Sequence, residues 1–198
     1  MPIVTLPGGQ VRDEIRETIY DTIDIAPTEG PIGQRKFFAN VQGKSLAKSN
    51  LEQNGALQTA VSFRVLGLCL DAQNIELGNQ KVIPLYLEKS SLRLKIGEKD
   101  YWKGPARFAA GRMTETGFTT VAATSSLHQQ YGWSAIQPVI FSAQNAIDIP
   151  PLQNFVGIWE VSQQDVSVAD ITAMTPSVAS TVVSFVLSLK GTKRRPVQ

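Results

Sequence analysis

Between Ser91 and Glu98 the chain reads SLRLKIGE, with Leu92, Leu94 and Ile96 alternating against Arg93 and Lys95. A period of two places the aliphatic residues on one face of a strand and the cations on the other. TAVSFRVLGLCLDA, residues 59–72, predicts a longer strand. There Phe63, Val65 and Cys69 share one parity and Leu66, Leu68 and Leu70 the other, so both faces are expected to be covered. RKFFANV predicts a strand with Phe37 and Phe38 on opposite faces, followed by a polar connection from Gln42 to Asn54. KVIPLYLEKS predicts a further strand, at an edge or bulge because Pro84 lacks a donor. AIQPVIFSAQNAIDI, FVGIWEV and STVVSFVLSLKG complete the series.

One segment carries a different spacing. In VRDEIRETIYDTIDIA, Val11, Ile15 and Ile19 stand at i, i+4 and i+8, which predicts a short amphipathic helix before alternation resumes at Tyr20. The result is about eight strands separated by Gly, Pro and Asn turns, with no fixed-period repeat and no βα alternation. The expected fold is all-β: a single eight-stranded antiparallel jelly-roll sandwich. Its expected parts are an N-terminal arm or helix over residues 1–19, the jelly-roll domain over 20–190, and a basic C-terminal tail over 191–198.

At 198 residues, 42% of them apolar, the chain can bury one core, and 18% charge leaves much of the surface to Ser, Thr, Asn and Gln. A net charge of +2 excludes a uniformly cationic surface. Local clusters remain. Residues 30–50 hold Arg35, Lys36, Lys44 and Lys48 with no acid, and the terminus holds Lys190, Lys193, Arg194 and Arg195. Ile171 to Leu189 is uncharged, yet seven Ser or Thr residues and Pro176 favour a buried strand over a membrane anchor. The start MPIVTLPGGQ lacks the basic and apolar regions of a secretory signal, so synthesis in a cytoplasm is expected.

Reactive constellations are few. GKS at Gly43 to Ser45 is not a phosphate loop, because the glycine required five residues earlier is Phe38. A phenylalanine there keeps the backbone away from phosphate. Cys69 is the only cysteine and lies among leucines; His128 is the only histidine and lacks a nucleophile elbow nearby. The acid pairs Glu98/Asp100 and Asp165/Asp170 read as solvated surface. No enzyme activity, cofactor or metal site is expected. Trp102 and Trp133, beside Tyr101 and Tyr131, are rim aromatics suited to a subunit contact or, alternatively, to glycan.

KFFANVQGKSLAKSNLEQNGAL, VSFRVLGLCLDAQN, DYWKGPARFAAGRM and VSFVLSLKGTKRRPVQ together resemble jelly-roll capsid proteins of icosahedral bacterial viruses that enclose an internal membrane. The resemblance implies a structural virion protein, made in the host cytoplasm, that self-assembles through lateral contacts into a shell. Copies of itself and other capsid proteins would be its partners, with Val11, Ile15, Ile19, Lys44, Lys48, Trp102 and Trp133 as expected contact residues. It further implies that Lys190, Lys193, Arg194 and Arg195 meet packaged genome or membrane lipid, and that the N-terminal arm lies on a neighbour or the membrane. A receptor- or glycan-binding spike or tail module is the alternative. Two-barrel members of that family are longer than this chain.

Overall fold

The computed structural model describes residues 3–5, 11–26, 29–30, 33–73, 82–110, 113–115, 131–133, 139–175 and 182–196. Its strands are β1 (Ile3–Thr5), β2 (Val11–Ile25), β3 (Gly33–Phe37), β4 (Ser62–Gln73), β5 (Ser91–Ile96) and β6 (Lys99–Pro105). Beyond these run β7 (Met113–Glu115), β8 (Tyr131–Trp133), β9 (Val139–Ile140), β10 (Ile147–Ile149), β11 (Phe155–Val161) and β12 (Val183–Pro196). Helix α1 (Val82–Glu88) precedes β5, and α2 (Val168–Met174) precedes β12. The chain is an all-β sandwich of two antiparallel sheets. One runs β1-β2-β12-β4-β10, with β9 also on β4; the other runs β3-β11-β5-β6.

The inward rows of the two sheets make the core. Phe185, Leu187 and Leu189 of β12 face Phe155, Trp159 and Val161 of β11, and all are buried. The Trp159 and Phe185 rings lie 4.5 Å apart, with Tyr86 of α1 at 5.6 and 5.7 Å from them. Gly157 lets the sheets approach: a Cβ there would stand 2.3 Å from Leu187 Cδ2. Removing a ring from such a cluster costs about 3–5 kcal/mol.

Three expectations are corrected. Residues 11–19 form the first half of β2 rather than a helix, and Ile19 is a core residue, 4% exposed. A spacing of four is also a multiple of two, so Val11, Ile15 and Ile19 share a strand face as readily as a helix face. KVIPLYLEKS forms α1 rather than a strand, since Val82, Ile83, Tyr86 and Leu87 fall on one helical side. Pro84 sits in its first turn, where a missing N–H costs nothing. In β4, the pairing with β12 shifts between Lys190 and Gly191, leaving Leu66 without a partner in that ladder. This bulge reverses parity, so Phe63 and Val65 join Leu68 and Leu70 in the core.

β3 ends at Phe37, and both Phe37 and Phe38 are buried. Phe38 has φ 68°, a left-handed conformation costly for an aromatic residue.

Candidate functional site

The cationic stretch that follows β3 folds back along the free edge of β2. Asn50 imitates a neighbouring strand: its Oδ1 accepts from the Tyr20 N–H at 3.0 Å and its Nδ2 donates to the Thr18 carbonyl at 2.7 Å. Ser49 Oγ donates to the Tyr20 carbonyl at 3.1 Å, and the Tyr20 hydroxyl donates to the Leu46 carbonyl. An exposed strand edge invites pairing with another chain, and this strap closes it.

Two ion pairs fasten the strap. Lys44 Nζ donates to Asp21 Oδ1 and to the Thr22 carbonyl, each at 2.7 Å, while Asp21 Oδ2 accepts the Phe38 N–H at 2.6 Å. Asp21 points to the core side and is wholly buried, so this pair holds the left-handed Phe38 in place. Lys48 pairs with Asp24, which also accepts from Ser184. Burial pushes the Asp24 carboxyl upward, but hydrogen bonds from Lys48 and Ser184 outweigh it and leave the group below the ordinary range. Lys44 and Lys48, expected at a subunit contact, are thus engaged within the chain.

The expected basic tail is the second half of β12. Register sets Arg194 opposite Glu14 and Arg195 opposite Asp13. Arg194 approaches Glu14 at 3.2 Å, Lys193 approaches Glu17 at 3.3 Å, and Arg195 lies 3.9 Å from Asp13. The free cationic tail is therefore corrected: its charges are matched by acids of β2, nearly the whole chain away in sequence. Lys190 alone of the four is exposed without such a match among the described residues.

Trp102 turns inward from β6, half-buried against the core, with its ring over Gly104. Its neighbour Tyr101 is the exposed aromatic, 43% accessible, with Lys99 Nζ 5.2 Å from the ring centre. Val11 begins β2, paired with Thr5 of β1, and Ile15 is half-buried. Trp133 ends β8, opposite Met113. His128 lies outside the described residues.

The buried polar groups serve the fold. Ser90 Oγ accepts from Trp159 Nε1 at 2.7 Å and donates to the Tyr86 carbonyl, so no base activates it. Burial pushes the Tyr86 hydroxyl up to about 12. Among the described residues no three His, Cys, Asp or Glu side chains gather as metal ligands, and no helix is long and apolar enough to cross a membrane. Sequence reasoning missed the Asp21–Lys44–Phe38 lock; the adjacent Phe37-Phe38 at a strand end was its one local sign. No family model, curated protein or solved structure matches this chain.

Proposed function

We propose that the chain is a structural virion protein: a single jelly roll that associates laterally with copies of itself and other coat proteins into an icosahedral shell. The strand pairing carries this reading. Leaving aside β1, β9 and the separate β7–β8 hairpin, and keeping the equally short β10, the strands pair first with last (β2 with β12), second with seventh (β3 with β11), third with sixth (β4 with β10) and fourth with fifth (β5 with β6). Two further pairings, β12 with β4 and β11 with β5, close the ribbon into opposed sheets. A hairpin ribbon wound in this order is the jelly roll, the architecture of many viral coats and also of lectins and cupins.

Two observations bear on how a neighbour or a ligand would be met. Trp102, expected on the rim for either role, packs half-buried against the core, which weakens it equally as a glycan platform and as a subunit contact. The β2 edge is strapped around Thr18 and Tyr20, so copies meeting there would do so through side chains and loops rather than by adding a strand. Sedimentation velocity of the purified chain over rising concentration tests the proposal. Large, uniform species are expected; a single-chain species at every concentration that binds glycan would replace the coat reading with the ligand-binding one.

A further inference from the structure

The outward face of the β3-β11-β5-β6 sheet carries cations that the fold leaves unmatched. Register sets Lys36 beside Ile158, Ile158 beside Arg93, and Arg93 beside Lys103, one residue on each of the four strands. With strands about 4.8 Å apart, the backbones of Lys36 and Lys103 are separated by roughly 14 Å. Both side chains are exposed, and among the described residues no carboxylate pairs with either. Arg93 shares its charge with Glu160 at 3.2 Å, and Lys95, one row away, with Glu98 at 3.4 Å. Four cations therefore share this face with Glu160 and, at the β5–β6 turn, Glu98 and Asp100. The contrast is with β12, where Lys193, Arg194 and Arg195 each have an acid.

We propose that this face binds the phosphodiester backbone of duplex nucleic acid without reading its sequence. Lys36, Arg93 and Lys103 lie along one line across the four strands, with Ile158 between the first two, and such a line can follow a linear polyanion whose charges recur along its length. Between the cations the sheet is aliphatic and recessed: Ile158 is 9% exposed and Val156 half-buried. No apolar side chain of the row stands above the charges to enter a bilayer, which disfavours a lipid surface. No aromatic lies in the row itself, and Tyr101 at its margin is occupied by Lys99, so a stack of single-stranded bases has no platform. The inference rests on this sheet alone and does not require that the chain assemble.

The test is fluorescence anisotropy of a labelled duplex of arbitrary sequence with the full chain, titrated between about 50 and 200 mM salt. Binding with a log–log salt slope of about −3 is expected, as for roughly three neutralised phosphates. K36E/K103E should weaken binding at least about tenfold, and the milder K36Q/K103Q should give an intermediate loss, both with an unchanged circular dichroism spectrum. R16E is the control: it reverses an exposed charge on β2, in the other sheet, and should leave binding within about twofold. No duplex binding at the lowest salt, or an equal loss in R16E, overturns the proposal. So does tighter binding to phosphatidylglycerol vesicles than to duplex, lost in K36E/K103E, which would make the face a lipid surface.

Discussion

Asp21 is the only charged side chain buried from solvent among the described residues, and three separate parts of the chain depend on it. It sits in β2 beside Leu187, accepts the Phe38 N–H and pairs with Lys44 of the strap. Asp21→Ala leaves the buried Phe38 N–H without its acceptor and Lys44 with the Thr22 carbonyl and water alone, and should cost about 3 kcal/mol in urea unfolding. Lys48→Met, which removes the exposed partner of Asp24, should cost no more than about 0.5 kcal/mol. Equal losses from both would show that the strap is held by general charge rather than by the buried lock. Asp24 supplies a pH dependence. Its folded-state carboxyl lies below the ordinary value of 3.8, so its contribution is present above that pH and is lost as pH falls through the lower folded value. Asp170 acts in the same direction: the Ser167 backbone N–H and hydroxyl hold its carboxyl down in the capping box of α2. Thermal melts between neutral pH and strong acid should therefore decline below about pH 4, and Asp24→Asn should flatten part of that decline. An unchanged acid limb in the variant would contradict this assignment.

At the scale of elements, β12 shows what sequence pattern does and does not disclose. Its apolar half is evident from VSFVLSL, Val183 to Leu189, where Phe185, Leu187 and Leu189 enter the core and the small Ser184, Val186 and Ser188 lie low between the flanking strands β2 and β4. Its basic half looks like a tail because the acids that match it are Asp13, Glu14 and Glu17, whose pairing no local pattern reveals. Those same acids interrupt the apolar alternation of β2, leaving only the ambiguous spacing of Val11, Ile15 and Ile19. The alternation of β5 was legible since one face is buried and the other wet. Helix α1 was legible in principle from the spacing of Val82, Ile83, Tyr86 and Leu87, but Pro84 drew the reading toward a strand end. The bulge at Leu66 had no sequence sign; it is fixed by contact with β12. There Gly191 is required, since a Cβ would stand 1.9 Å from the Arg64 carbonyl oxygen. Gly191→Ala forces backbone apart and should cost about 2–3 kcal/mol in chemical unfolding. Gly157→Ala meets the movable end of Leu187 at 2.3 Å and should cost less. A reversed ranking would mean that the bulge yields more easily than the core.

Across the whole molecule, the first and last long strands are neighbours, so folding must bring together segments separated by most of the chain. Such non-local pairing predicts slow folding relative to helical domains of similar size. It also changes what an N-terminal truncation would do. Deleting residues 1–19 removes Ile19 from the core and the acids from the cations of β12, so the product should be unfolded or insoluble by circular dichroism and solubility assay. A soluble, folded truncation that merely fails to assemble would restore the view of those residues as a detachable arm. The sandwich class and most strands could be read from alternation, whereas the closure of the β2 edge and the matched tail emerged only from three-dimensional register. Electron microscopy of the concentrated, purified chain tests the coat-protein reading most directly. Closed particles of regular size, with the sandwich repeated around symmetry axes, are expected. Featureless fields of single sandwiches, under every condition in which the protein stays folded, would contradict it.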